Sequence, residues 1–356
     1  MLKKILIAYN FSHDEAHVRA PNFYKGFAQV ISREFPTKIS YIPDPRKSIL
    51  FHLLIFLRFS VNKASLITNS FWLVCNAYKF EVIFGWLGYS IIVGFLKSTF
   101  GWKHVNNYMV LYKIPSQASA NYFYFAKKFL LKKALKGTAK LFAVDSSQAK
   151  FFEKELELKK GFVKTFRYGV DTIFYKKYIT RYKKSDEIRI FSPGGAHRDE
   201  HTLLSALRRS NVTLMRFHAD TSGIISHKVE FINNLRIEYF RNAPYSTYIK
   251  ECCSSNFVVI SVKNKDIPVG LTSLLECKAL AKAVIITRGL SSLEYVKDRV
   301  DGLLFRQGDS KDLENKIRYL LRNPIIAKKI GIAAQKNVER EYSLSICARN
   351  FYSQMS

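Results

Sequence analysis

Short apolar runs, each closed by a turn and followed by a helical pattern, recur along the whole chain. This rhythm narrows the possible folds more than any other feature. KILIAY, ISYI, SLITN, EVIFGW and KLFAV read as strands in the first half, and RIFSP, TLMRFHA, VEFI, FVVISV and AVIIT in the second. Strands alternating with helical stretches build βαβ units and parallel sheets. The rhythm runs twice, so the expected fold is α/β, with two Rossmann-like, doubly wound parallel-sheet domains. At 356 residues the chain suits two cores better than one. Its 48% hydrophobic and 14% aromatic content can fill both, which excludes a disordered chain.

The domain boundary is expected in FRYGVDTIFYKKYITRYKKSDEIRI, where Gly169 and Asp171 mark a turn and a charged run precedes the next strand. That gives an N-terminal domain over residues 1–165, a C-terminal domain over 166–335, and a closing helix over 336–356 that crosses back to the first. The start, MLKKILIAY, reads as a first strand, because polar NFSHDE ends its apolar run too early for a signal segment.

The net charge of +29 implies an anionic partner: nucleic acid, anionic lipid or a phosphorylated substrate. Val82 to Val144 holds no Asp or Glu, but carries Lys97, Lys103 and Lys113 among many aromatics. Basic and aromatic together suit an anionic membrane surface and also single-stranded nucleic acid. Within NYFYFAKKFLLKKALK, Tyr122, Phe125, Ala126 and Phe129 form one helical stripe, and Lys128, Lys132 and Lys136 another. Such a helix can lie on lipid or can be a Rossmann helix with its apolar face in the core. SILFHLLIFLRF is too short to span a bilayer and is interrupted by His52 and Arg58, so any membrane contact is expected to be peripheral. The five cysteines show no metal spacing and no CxxC, which points to a reducing compartment.

Three turns carry the chemistry. In FSPGGAHRDEHTLLSAL, Gly194 and Gly195 sit between a strand and a helix, where backbone amides can approach a phosphate and Arg198 can neutralise it. The same residues also suit a plain turn capped by Asp199 or Thr202. In PVGLTSLLECKAL, Gly270, Leu271, Thr272 and Ser273 open a helix whose free amides can hold a second anion. Glu276, about one turn inside, can accept two ribose hydroxyls, or can be a first-turn acid favoured by the helix dipole. RGLSSLE sets Glu294 behind a third strand-to-helix turn, where Ser292 can serve as a cap.

The order and spacing of these segments resemble the nucleotide-sugar-binding domain of GT-B glycosyltransferases, above all the retaining family 4 group. FRYGVDTIFY, GGAHRDEHTLLSAL, PVGLTSLLECKALAKAVIIT, GLSSLEYV and DGLLFRQGDSKDLENKI carry the resemblance, from Phe166 to Glu341. It implies a GT-B architecture, with two Rossmann-like domains facing a central cleft. Arg198 would contact the donor diphosphate; Gly270, Leu271 and Thr272 would hold its phosphates; Glu276 would hold the ribose. Asn242 and Ala243 would lie in the turn that passes the base.

Two positions depart from the family pattern. Many relatives have two glutamates with seven residues between them; the second is Glu276 here, and Pro268 stands at the first position. No Gly-Gly pair follows the first strand; NFSHDEAHVRAP stands there instead, with His13 and His17 as candidates to act on the acceptor and His104 as a further one.

The resemblance implies a hexosyltransferase that uses a UDP- or GDP-sugar and no metal, and that transfers with retention. The basic first half suggests a lipid-linked or surface-polysaccharide acceptor and a cytoplasmic protein held peripherally at the inner face of the membrane. A nucleic-acid-binding protein and a non-catalytic GT-B scaffold are the alternatives.

Overall fold

The computed structural model describes residues 3–8, 23–42, 44–58, 61–101, 105–111, 122–181, 187–195, 197–220, 224–263 and 268–354. Its contacts divide into two units. One includes Phe27–Arg167 and Phe351–Ser356, and the other includes Tyr168–Asn350.

The strands of the first unit are β1 (Lys3–Ala8), β2 (Thr37–Tyr41), β3 (Val82–Trp86), β4 (Asn106–Val110), β5 (Lys140–Ala143) and β6 (Val163–Thr165). They pair in parallel in the order β2-β1-β3-β4-β5-β6, with Ile5 opposite both Ile39 and Val82. The helices are α1 (Phe23–Glu34), α2 (Ile49–Phe56), α3 (Val61–Asn76), α4 (Leu87–Phe100), α5 (Tyr122–Lys136) and α6 (Ser146–Glu155). Leu6, Ile83 and Val105 fill one part of the core, and Met109, Leu141 and Phe152 another. SLITN, expected as a strand, is the middle of α3. Ala64, Ser65, Thr68 and Asn69 are buried while Ile67 is exposed, a helical period rather than an alternation of two. β4 was not expected, because its polar start in Asn106 and Asn107 hides an otherwise buried strand.

The second unit holds β7 (Arg189–Pro193), β8 (Thr213–His218), β9 (Ser226–Ile232), β10 (Leu235–Arg241), β11 (Phe257–Ile260), β12 (Val284–Thr287) and β13 (Leu303–Phe305). Its helices are α7 (Thr172–Lys176), α8 (Glu200–Leu207), α9 (Tyr245–Ser254), α10 (Leu271–Ala279), α11 (Leu290–Tyr295), α12 (Ser310–Arg322) and α13 (Pro324–Glu341), with α14 (Leu344–Ser353) belonging to this unit as far as Asn350 and to the first from Phe351. The sheet order is β13-β12-β11-β7-β8-β10-β9. Every residue of FVVI in β11 and VIIT in β12 is buried, as befits parallel strands covered on both faces. VEFI does not join as a parallel strand. It lies in β9, which pairs antiparallel with β10 as an exposed hairpin edge.

One buried charge locks α10 in place. Lys278 is 0% exposed, and its Nζ donates to Tyr295 O at 2.8 Å, Asp301 Oδ2 at 3.1 Å and Asn337 Oδ1 at 3.1 Å. All three ammonium protons have an acceptor, which offsets the cost of taking the charge out of water. Burial still pulls the Lys278 pKa down, against the opposing pull of Asp301. The network joins α10 to α13 and to the segment after α11, so the start of α10 rests on a fixed base.

Candidate functional site

β7 and β11 lie side by side, with Ile190 opposite Phe257 and Phe191 opposite Val258. The chain builds β8 and β10 on one side of this pair and β12 and β13 on the other. At such a switch the two following turns part and leave a crevice beyond the strand ends, where doubly wound sheets bind ligands.

β7 runs into Gly194 and Gly195. Gly194 has φ of 87°, a region that side chains rarely adopt. A side chain there would also collide with the Arg198 guanidinium, and one on Gly195 would collide with the His218 ring at the end of β8. Bare backbone is what lets these groups pack so closely.

Arg198 forms an isolated antiparallel bridge with Val262, just beyond β11. On either side, Asp199 N donates to Ser261 O at 3.0 Å and Lys263 N donates to His197 O at 2.9 Å. The β7 turn is thereby stitched to the β11 loop. Arg198 Nε donates to Pro193 O at 2.9 Å, which anchors one edge of the guanidinium. Its other end lies near Gly270: a methyl group built on that glycine would stand 3.6 Å from Nη1. The capping role also holds, since Asp199 Oδ1 accepts from Thr202 N at 3.1 Å at the start of α8. The cap and the arginine are adjacent residues with separate tasks.

Arg198 is pushed down to about 10, first by burial and then by the neighbouring charge of Arg216. Arg216 is buried in β8, where Nη1 donates to Ser192 O at 2.9 Å and Nε pairs with Glu200 Oε1 at 3.2 Å. A second guanidinium close enough to depress Arg198 makes a strongly positive spot, and a bound anion would relieve it.

α10 adds to that potential. Its N-cap, Gly270, has φ of 83° and no side chain with which to cap the helix. The bond from Leu274 N to Gly270 O, 2.8 Å long, opens the helical ladder, so the amides of Leu271, Thr272 and Ser273 have no acceptor within the helix. Leu271 is buried, Ser273 half-buried and Thr272 exposed, which sets the two hydroxyl residues outside the packed face. Pro268 is buried just before them.

Further along α10, Glu276 is 8% exposed, and its Oε2 accepts a hydrogen bond from Tyr248 Oη at 2.9 Å. Tyr248 stacks on Tyr245 with ring centroids 5.1 Å apart, and the Tyr245 hydroxyl is hydrogen-bonded to that of Tyr175. Burial, then the Cys277 and Glu276 side chains, push Tyr248 well above its ordinary value, so it stays a proton donor to the carboxylate.

The turn after β10 is more structural than expected. The Asn242 amide nitrogen donates to Asp220 Oδ1 and Ile224 O, each at 3.0 Å, and its oxygen accepts from Asp220 N at 2.9 Å. Those bonds tie the ends of β8 and β10 together; Ala243 follows, half-buried. At the third turn, Ser292 Oγ accepts from Gly289 N at 2.8 Å and donates to Thr287 O at 2.8 Å, so it is a cap. The Glu294 main-chain oxygen accepts from Tyr342 Oη at 3.1 Å. His13, His17 and His104 lie outside the described residues. Among the described residues, no group of three or more His, Cys, Asp or Glu side chains gathers as metal ligands do.

The structure thus brings Gly194, Gly195, Arg198 and Gly270 together at the switch point, with Glu276 on the helix that Gly270 opens. Sequence reasoning missed Arg216, His218 and Tyr248. Arg216 left a signal, a charge in the middle of the apolar strand TLMRFH. Tyr248 left none.

Residues 252–337 match the family model of glycosyl transferases group 1, a segment that includes α10 and Glu276. Comparison with curated proteins finds no match. Among solved structures, HepE from Anabaena, in complex with UDP, superposes with a TM-score of 0.71 at 13% identity, covering 99% of both chains. The chain has the GT-B fold of glycosyltransferases. A sucrose-phosphate synthase from Thermosynechococcus elongatus gives the same TM-score, identity and coverage. A glycosyltransferase from Rickettsia africae gives 0.66 at 16% identity, covering 99% of this chain and 97% of its own. HepE has also been solved with UDP-glucose. The segment that matches glycosyl transferases group 1 is the one that points to glycosyl transfer.

Proposed function

We propose that the protein transfers a hexose-type sugar from a UDP- or GDP-sugar to a lipid-linked or surface-polysaccharide acceptor, with retention and without a metal. The observation that carries this reading is the meeting of Arg198 with Gly270 at the β7–β11 switch point, backed by Arg216. A diphosphate seated there would face the guanidinium and the first amides of α10. As the bond between anomeric carbon and diphosphate oxygen breaks, negative charge builds on that oxygen. Donors fixed in advance stabilise such charge most effectively. The acceptor oxygen forms the new bond to the anomeric carbon and loses its proton. Glu276, with one carboxylate oxygen engaged by Tyr248, accepts from the ribose hydroxyls and orients the donor. UDP is favoured because HepE, of like fold, binds it.

His13 and His17 are the candidates to receive the acceptor proton, and Asn242 shapes the turn past the base while Ala243 lines it. The acid-free basic and aromatic stretch from Val82 to Val144, with the net charge of +29, supports an acceptor at a membrane and a peripheral position at its cytoplasmic face. Among the described residues, no helix is long and apolar enough to cross one. The test is transfer of labelled sugar from UDP- and GDP-sugars to a membrane lipid extract. Label that reaches lipid with wild type and not with Arg198→Ala supports the proposal. Binding of oligonucleotides with no transfer from any donor would contradict it.

A further inference from the structure

α2 violates the usual bargain between sequence and burial. ILFHLLIF is apolar at every position but His52, a pattern that belongs in a core or at a bilayer. Yet Ile49 is 88% exposed and Phe56 82%, and Leu53 and Leu57 are exposed as well. Those four positions are spaced by four, three and one, so they form one face of the helix turn. The adjoining face, about a quarter turn round, holds buried Leu54 and partly buried Leu50, which pack on Ala64 of α3. α3 repeats the arrangement, with Ile67, Phe71 and Val74 exposed and spaced by four and three, and Tyr78 exposed in the turn just beyond its end. Single exposed hydrophobics are ordinary, but two stripes on helices packed together are not.

The surrounding charge says what kind of partner fits. From Pro45 to Phe80 the sequence holds no Asp or Glu. Lys47 just before α2, Arg58 just after it and Lys79 beyond α3 are exposed. Apolar stripes bordered by cations and lacking any carboxylate match the interface of an anionic bilayer, where apolar side chains enter the acyl boundary and Lys and Arg meet the headgroups.

We infer that the outward face of α2 and α3 docks the protein on an anionic lipid bilayer. The inference rests on the part of the proposed function that puts the acceptor at a membrane, and it moves the contact away from α5. In α5, Leu131, Ala134 and Leu135 face the core and Lys132 pairs with Glu157 at 2.9 Å, although Phe129 is exposed.

The experiment is co-sedimentation of the full chain with vesicles of phosphatidylcholine alone or with about one third phosphatidylglycerol, at low and high salt. Wild type is compared with Phe56→Asp/Phe71→Asp and with Phe129→Asp. The expected result is binding to the anionic vesicles only, weakened by salt, and at least tenfold weaker for the double variant. Phe129→Asp should bind as wild type does. A thermal shift with UDP, and an unchanged elution volume, show that each variant is folded and that its donor site is intact. Equal binding by the double variant and wild type would overturn the inference. So would failure of wild type to bind any vesicle, or a wild-type dimer that the double variant turns into a monomer. A missing UDP shift in wild type would count against the donor site alone and leave the docking result readable.

Discussion

The Tyr248 hydroxyl donates to Oε2 of Glu276 across 2.9 Å, joining α9 to α10 behind the first turn of the helix. The bond fixes the carboxylate rotamer before any ligand arrives, and preorganisation of this kind lowers the cost of binding. Tyr248→Phe removes the donor and keeps the ring stacked on Tyr245. A hydrogen bond to a charged group is worth about 1.5–3 kcal/mol, and because this one is made before ligand binds, its loss falls on folding stability; donor affinity should fall by the smaller cost of fixing the carboxylate on binding, roughly twofold to tenfold. Calorimetric titration checks the affinity, and the melting temperature should fall as the buried carboxylate loses a donor.

Arg198→Ala should lower kcat/KM by about 100-fold to 1000-fold, the usual effect of removing one group that meets developing negative charge. Arg198→Lys should recover only part, because lysine lacks the second nitrogen that Nε leaves aimed towards Gly270. Steady-state kinetics with a saturating acceptor separate the two variants.

The pH dependence follows from the same residue. Arg198 is held near 10, below its ordinary value, because burial and Arg216 disfavour its charged form. Its charge is therefore complete at neutral pH and is lost as pH rises through about 10. Diphosphate affinity should stay flat from about pH 7 to 9 and weaken above about 10. Tyr248 and Tyr245 sit well above the tyrosine range and stay protonated across that window. Because the folded pKa is depressed, the charged arginine costs stability at neutral pH, and that cost fades as pH rises through about 10 towards the unfolded value. A bound diphosphate should lift it at neutral pH.

Lys278→Ala leaves Asp301 and Asn337 without their shared donor in a dry interior. Breaking one partner of a buried ion pair costs about 3–5 kcal/mol, so chemical denaturation should show a loss of that order. Lys278→Met/Asp301→Leu, which removes both charges, should lose markedly less.

The two sheets were legible because buried parallel strands write themselves as apolar runs, as FVVI and VIIT do. SLITN misled because five residues are too few to tell an alternation of two from a helical period. β10 escaped because Glu238 and Arg236 interrupt its apolar positions, and the structure spends those charges on an ion pair at 3.0 Å. At the site, glycines and the charged residue beside them were readable, since phosphate binding needs bare backbone next to a strand end. Tyr248 was not: its partner is 28 positions away, and nothing local marks a tyrosine that will meet a glutamate.

The most direct test of the central claim, that Arg198, the start of α10 and Glu276 form one nucleotide-sugar site, is thermal stabilisation by UDP-, GDP-, ADP- and CMP-sugars. Ligand that binds only the folded chain must raise its melting temperature. Wild type should shift with the UDP- or GDP-sugars, and Arg198→Ala and Glu276→Ala should lose the shift while melting cooperatively on their own. A shift that survives in both variants, or no shift with any nucleotide sugar while oligonucleotides stabilise the protein, would contradict the account.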